Sequence, residues 1–347
     1  MKPLEQLIAP HLLQLQPYRS ARLEFSGTAT TFLDANEAPI GRYNRYPDPL
    51  QTQLKERLAT LNQVRPEQIF VGNGSDEAID LLMRLFCRAG QDAILTMPPT
   101  YGMYRVSAAI NQVAVVEVPL GANFQPDVDE VLTRQTAETK LLFVCSPNNP
   151  TGNEVARQAL RQLIEGFDGI VVVDEAYQHF AEGESALRWL GDYPNLVVLQ
   201  TLSKAWGLAG LRVGMAYAQP AIIQWLSAIK PPYNVNAATQ ELALEALNNT
   251  IQLTVRLAAI KTARNQLRQA LEKLPIVQQI NPSDANFLLV QTTDPDAIYN
   301  YLVEQGIVVR NRSRVLQCEG CLRFTIGTAA ENAALLKALQ TYQPSFV

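Results

Sequence analysis

Between about residue 70 and residue 218, short apolar runs alternate with segments of helical periodicity. Most of the apolar runs are continuous rather than alternating, which is typical of strands covered on both faces of a sheet. Repeated strand–helix units predict an α/β fold, with a mostly parallel central sheet flanked by helices. The predicted strands are the runs at 93–97, 113–118, 141–145, 169–174, 196–200 and 211–218.

The pattern changes after residue 250. Apolar residues recur at helical spacing from 250 to 274, and Pro275 ends this predicted helix. Shorter elements follow, and they are predicted strands at 286–291, 307–310 and 322–326 with helices at about 294–305 and 329–341.

These patterns divide the chain into three parts. A large domain is predicted at 31–250 and a smaller α/β domain at 251–347. Residues 1–30 are too few and too irregular for a domain. We expect this N-terminal segment to pack on the second domain or on a partner subunit.

The charge balance gives no indication of a nucleic-acid partner. Lys and Arg total 29 against 33 for Asp and Glu, so the formal net charge is −4, and no basic patch stands out. Glu5, Pro10 and His11 interrupt the apolar start that a signal peptide needs, and no run is long enough to span a membrane. We therefore expect a cytoplasmic protein that acts on small molecules.

Cys318 and Cys321 form a C-x-x-C pair. A structural zinc site needs four ligands, and the chain's two histidines, His11 and His179, are far away in sequence. A thioredoxin-type pair begins a helix, whereas this one leads into a predicted strand. We interpret the pair as incidental, and no metal site is expected.

Lys204 stands just past a predicted buried strand, in the segment TLSKAWGLAGLR at 201–212. A lysine in a loop is usually a solvated surface charge. The alternative is a lysine directed into a crevice, where its amine can form a Schiff base with a carbonyl group. Lys204 alone does not decide between the two.

Three other polar or aromatic residues follow strands of the same predicted sheet. Asp174 ends VVVD, Asn149 lies in SPNNPTG and Tyr101 lies in PPTYGMY. Each has an ordinary explanation as a turn residue or a core residue. In an open α/β sheet, however, the site lies beyond the carboxyl ends of the strands, so these side chains are predicted to meet there.

The segment GNGSDEAIDLL opens with a glycine-rich turn and continues as a helix, for which Ser75 is a good N-cap. Backbone N–H groups at such a helix start can bind a phosphate. The pattern is not G-x-G-x-x-G, because Glu77 takes the third position, and no G-K-[ST] occurs. Nicotinamide and P-loop chemistry therefore lose support.

Together these residues match the needs of pyridoxal phosphate. This cofactor requires a lysine for its aldehyde, a carboxylate beside its pyridine nitrogen and donors to its ring hydroxyl. It also requires an aromatic side chain for stacking and a helix N-terminus with Ser or Arg for its phosphate. The candidates, in that order, are Lys204, Asp174, Asn149 with Tyr177, Tyr101, and Gly74, Ser75, Asp76, Ser203 and Arg212.

With these residues the chain resembles the class I and II aminotransferases, which are pyridoxal-phosphate enzymes of fold type I. SPNNPTG and SKAWGLAGLR are specific to that superfamily, while NRYPDP, TYGMY and GCLRFTIG are similar to its histidinol-phosphate branch. The resemblance implies amino transfer between L-histidinol phosphate and 2-oxoglutarate, giving imidazole acetol phosphate and L-glutamate, in histidine biosynthesis.

The resemblance also implies a role for each candidate. Lys204 would carry the cofactor and move protons, and Asp174 would pair with the pyridinium. The ring hydroxyl would be bound by Asn149 and Tyr177, and the ring would stack on Tyr101. The phosphate would be held by Ser75, Asp76, Ser203 and Arg212.

Further implied positions concern the partner subunit and the substrate. Tyr46 is similar to a tyrosine that reaches the cofactor phosphate of the other subunit in a homodimer, although it could also be only a turn residue before Pro47. The positions that match the substrate pocket are Tyr18, Asn36, Asn149, Arg310 and Arg323.

Three other functions stay open at this point. An aromatic-amino-acid aminotransferase has an overlapping pocket, and a lyase resembling threonine-phosphate decarboxylase shares the fold and an amino-phosphate substrate. A non-catalytic sensor domain is the third. The two enzymes differ from the first interpretation in how the bonds at the substrate's Cα align with the cofactor ring, which motif spacing does not report.

Overall fold

The computed structural model describes residues 3–18, 24–25 and 27–343. The strands in this part of the chain are β1 (Ile69–Asn73), β2 (Ala93–Thr96), β3 (Ala114–Glu117), β4 (Thr139–Cys145), β5 (Ile170–Asp174), β6 (Leu196–Thr201), β7 (Val213–Tyr217), β8 (Val277–Ile280), β9 (Phe287–Thr292), β10 (Arg310–Asn311) and β11 (Cys321–Thr325).

The central sheet has seven strands in the order β1-β7-β6-β5-β4-β2-β3. The pairs β2–β3, β2–β4, β4–β5 and β5–β6 are parallel, and β7 is antiparallel to both of its neighbours. The predicted mostly parallel sheet is confirmed.

Eight of the described helices pack on the two faces of this sheet, and the last three pack mainly near the second sheet. In chain order they are α1 (Leu4–Leu7), α2 (Thr52–Asn62), α3 (Ser75–Phe86), α4 (Met103–Ile110), α5 (Val128–Thr133), α6 (Arg157–Gly166), α7 (Pro220–Ile229), α8 (Ala237–Leu247), α9 (Thr250–Leu271), α10 (Pro295–Glu304) and α11 (Ala329–Thr341).

The residues of β5 show why the apolar runs are continuous. Val171 and Val173 belong to the core on one face of the sheet, whereas Ile170 and Val172 belong to the core on the other face. Because successive side chains point to opposite faces, both sets must be apolar when helices cover both.

A second sheet is antiparallel and has the order β10-β11-β9-β8. Its own core contains Leu288, Phe324 and Leu335, while α9 contributes Leu267 and Leu271. The prediction of a strand at 307–310 was wrong for residues 307–309. Val308 is 80% exposed and only Arg310 and Asn311 pair with β11, so this run lacks the partners that make a strand.

The separate core supports the predicted division at residue 250, which stays a prediction. The helix α9 links the two parts, because its early residues Leu253 and Leu257 pack near Tyr177 and Phe180 of the larger part.

The described beginning of the chain packs on the large sheet's core. Leu7 and Ile8 lie beside α3, and the backbone N–H of Ala9 donates to the carbonyl of Leu85 at 2.8 Å. For these residues the expected packing on the second domain was wrong, because their apolar side chains complete the core of the large sheet. The expected packing on a partner subunit stays a prediction. The segment PYRSAR at 17–22 also belongs to the family resemblance, and its residues 19–22 lie outside the described residues.

None of the described helices combines the length and the apolar character that crossing a membrane requires.

Candidate active site

A cavity of about 420 Å³ lies where β4, β5 and β6 end, and residues of the second sheet close its other side. It gathers most of the residues predicted from the sequence. Those that line it are Gly74, Ser75, Asp76, Tyr101, Asn149, Asp174, Tyr177, Ser203, Lys204, Arg212, Arg310 and Arg323.

Lys204 follows β6 and lines this cavity, and its Nζ lies 5.7 Å from the centre of the Tyr177 ring. Burial lowers the pKa of the amine, the positive charge of Arg323 lowers it further, and Asp174 acts in the opposite direction. A lower pKa increases the fraction of neutral amine, which is the form that attacks a carbonyl carbon. The Lys204 side chain is exposed in the single chain, so its lowered pKa and its place in the cavity are what distinguish it from an ordinary surface charge.

Asp174 is the last residue of β5, and only 2% of its surface is exposed. The Tyr104 hydroxyl donates to its Oδ2 at 2.7 Å, and the Ala176 backbone N–H donates to its Oδ1 at 3.1 Å. Burial raises the pKa of this carboxyl group, while the two hydrogen bonds lower it.

No ion pair is formed with the Asp174 carboxylate by any residue of the described ranges. A buried carboxylate is costly unless it is paired, so a cationic group is the partner that this end of the cavity lacks. Asp174 also caps the turn through Ala176, but that role does not require a carboxylate facing a cavity.

Asn149 and Tyr177 lie side by side, with the Asn149 Nδ2 3.5 Å from the Tyr177 hydroxyl. Arg323 donates to the Asn149 Oδ1, which fixes the amide so that its Nδ2 faces the tyrosine. Burial raises the pKa of Tyr177 and keeps its hydroxyl protonated. The pair therefore presents two hydrogen-bond donors to the cavity.

The helix α3 begins at Ser75, and its N-cap is Gly74. The prediction that Ser75 is the N-cap was wrong. Gly74 has a φ of 80°, and a Cβ there would lie 2.5 Å from the Arg212 Nη2, so only glycine allows both the turn into the helix and the approach of the arginine.

Arg212 gathers the groups around this helix start. Its Nη1 lies 3.4 Å from the Ser203 Oγ, and its Nη2 lies 3.7 Å from the Asp76 Oδ2. The strand β7 passes close to the same point, because a Cβ on Gly214 would lie 2.0 Å from the Ser75 nitrogen. The free N–H groups of a twelve-residue helix and a guanidinium form a site that suits a phosphate.

Tyr101 forms one wall of the cavity, and its hydroxyl donates to the Asp76 Oδ1 at 3.1 Å. Its ring meets the edge of the Tyr104 ring at 5.5 Å between centroids. A ring fixed in this way leaves its other face for stacking on a planar ligand.

Three predicted residues lie outside this cavity in the single chain. Tyr46 is 50% exposed, stacks on Tyr233 at 4.5 Å and shares a surface cleft with Asn36. Tyr18 is 71% exposed. A tyrosine that acts in a second subunit must lie outside the cavity of its own chain, as Tyr46 does. That role of Tyr46 stays a prediction, as do the substrate roles of Tyr18 and Asn36.

Two residues with evident importance were missed in the sequence. Tyr104 holds Asp174 and lies three residues after Tyr101 in the same motif, but an aromatic residue on a helix is usually core. Arg312 lines the cavity beside Arg310 and Arg323. The repeated arginines at 310, 312 and 314 were the available signal.

Two arginines of this site hold buried donors that the described residues leave unpaired, namely the Nε atoms of Arg312 and Arg323. Buried donors in proteins are nearly always bonded, so these two atoms are exceptions among the described residues.

The chain matches a family model described as aminotransferase class I and II over residues 24–339. It is 53% identical to the histidinol-phosphate aminotransferase of Parabacteroides distasonis, covering 98% of this chain and 99% of that protein. It is 50% identical to that of Cytophaga hutchinsonii, with the same coverage. The crystal structure of the Clostridium acetobutylicum histidinol-phosphate aminotransferase superposes with a TM-score of 0.79 at 22% identity, covering 86% of this chain and 90% of that one.

Proposed function

The chain belongs to the class I and II aminotransferase family, and we propose that it transfers an amino group between L-histidinol phosphate and 2-oxoglutarate. The products are imidazole acetol phosphate and L-glutamate, in histidine biosynthesis. As a member of this family it is a pyridoxal-phosphate-dependent aminotransferase. The observation that carries the proposal is one cavity that holds a lysine amine, a buried unpaired carboxylate and a cluster of arginines.

The residues of the cavity fit pyridoxal phosphate at each of its ends. When bound, the cofactor supplies an aldehyde that accepts the amino group and a ring that withdraws electrons from the substrate's Cα. Asp174 would stabilise a proton on the ring nitrogen, and Asn149 and Tyr177 would donate to the ring hydroxyl. The buried carboxylate would thereby gain a cationic partner, which no residue of the described ranges provides through an ion pair.

The phosphate would bind where α3 begins. Its oxygens would accept from the N–H groups of Ser75 and Asp76 and from the side chains of Ser203 and Arg212. The Asp76 carboxylate faces Tyr101 and Arg212, so its backbone is the part that can hold an anion.

Lys204 is the group that moves a proton at the substrate's Cα. Its lowered pKa increases the fraction of neutral amine, which can accept a proton and return it to a neighbouring carbon.

The substrate pocket must bind two kinds of anion in turn, because glutamate carries two carboxylates whereas histidinol phosphate carries a phosphate. A planar guanidinium can bind either in a bidentate way, which a lysine cannot do as well. Arg323 is our candidate for the shared anchor, and Arg310 and Tyr18 would assist with the phosphate.

An Arg323→Lys variant should slow both half-reactions, because lysine keeps the charge but loses the fork and the bond to Asn149. An Arg310→Ala variant should impair the phosphate substrate more than glutamate. Single-turnover rates for each half-reaction measure both effects. Unchanged rates in Arg323→Lys would rule out the anchor and favour the aromatic-amino-acid aminotransferase.

The proposal includes a homodimer in which Tyr46 reaches the partner's cofactor phosphate, and it includes the cytoplasm as the compartment. Tyr46 supports the dimer because it lies on the surface, half exposed, in a cleft away from its own chain's cavity. An aromatic hydroxyl in that position has no phosphate to bind within one chain.

If Tyr46 acts across the interface, mixing inactive Lys204→Ala subunits with inactive Tyr46→Ala subunits should restore activity. A hybrid dimer then contains one site with both residues intact. Activity is measured after subunit exchange has been verified by native mass spectrometry. No recovery in verified hybrids would show that each site is built within one chain.

The function is tested by the absorption spectrum of the holoenzyme after addition of L-glutamate alone. We expect the band of the lysine-bound cofactor to convert to the pyridoxamine form, and histidinol phosphate should produce the same conversion. A band that glutamate leaves unchanged would contradict transamination. Release of carbon dioxide from L-threonine phosphate would instead identify the lyase, and conversion by phenylalanine but not by histidinol phosphate would identify the aromatic enzyme.

A further inference from the structure

Arg312 lies at the junction of two cavities. It lines the active-site cavity together with Asn149 and Tyr101. The same three residues line a smaller side cavity of about 290 Å³. A group bound to Arg312 would therefore sit at the outer edge of the active site.

The backbone fixes Arg312 firmly. It directly follows β10, and its N–H donates to the Cys321 carbonyl at 2.9 Å, which extends the pairing with β11. The next residue, Ser313, is held by the Asn311 Oδ1 through its N–H at 2.9 Å and its hydroxyl at 2.6 Å. The guanidinium is thus presented from an ordered turn.

No acid pairs with Arg310, Arg312 or Arg323 anywhere in the described ranges. Burial, together with the neighbouring charges of Arg323 and Arg310, lowers the pKa of Arg312 to about 10. Its Nε is buried with no partner among the residues that the structure describes. Arg310 is exposed, whereas Arg312 and Arg323 are partly buried. Three neighbouring cations repel one another, so the site suits a ligand with more than one negative charge.

Arg312 differs from the other two arginines in the cavities that it lines. Arg312 lines the side cavity as well as the active-site cavity, whereas Lys204, Arg310 and Arg323 line only the active-site cavity of the two. Arg312 therefore lies on the side of the active-site cavity that borders the side cavity. A carboxylate carries one charge, which one guanidinium matches, whereas a phosphate carries nearly two charges and three acceptor oxygens.

We propose that Arg312 binds the phosphate group of the amino-phosphate substrate and is a specificity residue that favours this substrate over glutamate. The inference rests on the proposed function. Arg312 would bind the phosphate oxygens that face the side cavity, beside the oxygens bound by Arg310 and Arg323.

The test is an Arg312→Gln variant of the holoenzyme, studied in separate half-reactions with L-histidinol phosphate, L-histidinol and L-glutamate. Loss of a charged hydrogen bond should lower kcat/KM for histidinol phosphate roughly 10- to 100-fold. The loss should appear mainly in KM. Histidinol, which lacks the phosphate, and glutamate should change less than about threefold, and Arg312→Lys should recover part of the loss.

Arg314→Gln is the matched control. Arg314 lies in the same turn and carries the same charge, but it is exposed and lines neither the active-site cavity nor the side cavity. This variant should leave all three substrates unchanged. The cofactor spectrum should match the wild type in both variants.

Equal losses for all three substrates in Arg312→Gln, or a loss matched by Arg314→Gln, would overturn the inference. Retention of wild-type KM for histidinol phosphate would overturn it as well. Failure of the proposed function would look different, because it would be seen in the wild type. The wild type would then react with glutamate but not with histidinol phosphate. That last result would overturn both.

Discussion

A Lys204→Ala variant should bind pyridoxal phosphate and yet lose turnover, together with the absorbance of the lysine-bound cofactor. Binding should persist because the start of α3, Arg212 and Asp174 remain in place. Removal of the proton-transferring amine alone should cost roughly 10²- to 10⁴-fold. Steady-state kinetics and the absorption spectrum of the reconstituted variant measure the two effects.

A small primary amine provides the control for this variant. Alanine leaves space in the cavity beside Tyr177, where the Lys204 amine lay. Methylamine in that space should restore part of the rate, because the lost function is that of a base rather than of the fold. A variant with nearly wild-type turnover and no added amine would show that another residue moves the proton.

An Asp174→Asn variant should lose a few orders of magnitude in rate while keeping its geometry. Asparagine still accepts a hydrogen bond from Tyr104, but it removes the negative charge that would hold a proton on the ring nitrogen. Without that proton the ring withdraws electrons poorly. A loss of roughly 10²- to 10³-fold corresponds to about 3–4 kcal/mol of transition-state stabilisation. Single-turnover kinetics with glutamate measure it.

Glu175 offers a matched control for Asp174. It is the next residue, is also buried, and its pKa is raised to about 7 by burial. Its carboxylate accepts from the Ala186 N–H at 2.6 Å and from Gln200 at 3.1 Å, away from the cavity. Glu175→Gln should therefore leave the rate per bound cofactor unchanged. A nearly wild-type rate in Asp174→Asn would show that Asp174 only caps the turn.

Much of the fold could be predicted because its physical causes are local. Val171 and Val173 must be apolar for one core and Ile170 and Val172 for the other, so β5 appears in the sequence as an unbroken run. The end of each run then marks the edge of the sheet where a site forms. For that reason the positions of Lys204, Asp174 and Asn149 just past three such runs were enough to predict that they share one cavity.

The errors concern features that depend on distant parts of the chain. Gly74 rather than Ser75 is the cap, and position 74 accepts only glycine because of the approach of Arg212, which is far away in sequence. The apolar residues at 307–309 do not form a strand because no neighbouring strand pairs with them. Arg312 reaches the cavity only because β10 and β11 close it. Sequence periodicity contains none of this tertiary information.

The central claim is that this cavity binds pyridoxal phosphate through Lys204. Reduction of the wild-type holoenzyme with borohydride, followed by proteolysis and peptide mapping, tests it most directly, since reduction makes the bond between lysine and cofactor permanent. We predict that the cofactor label is found on Lys204, in the peptide that contains SKAWGLAGLR. A label on any other lysine would contradict the claim.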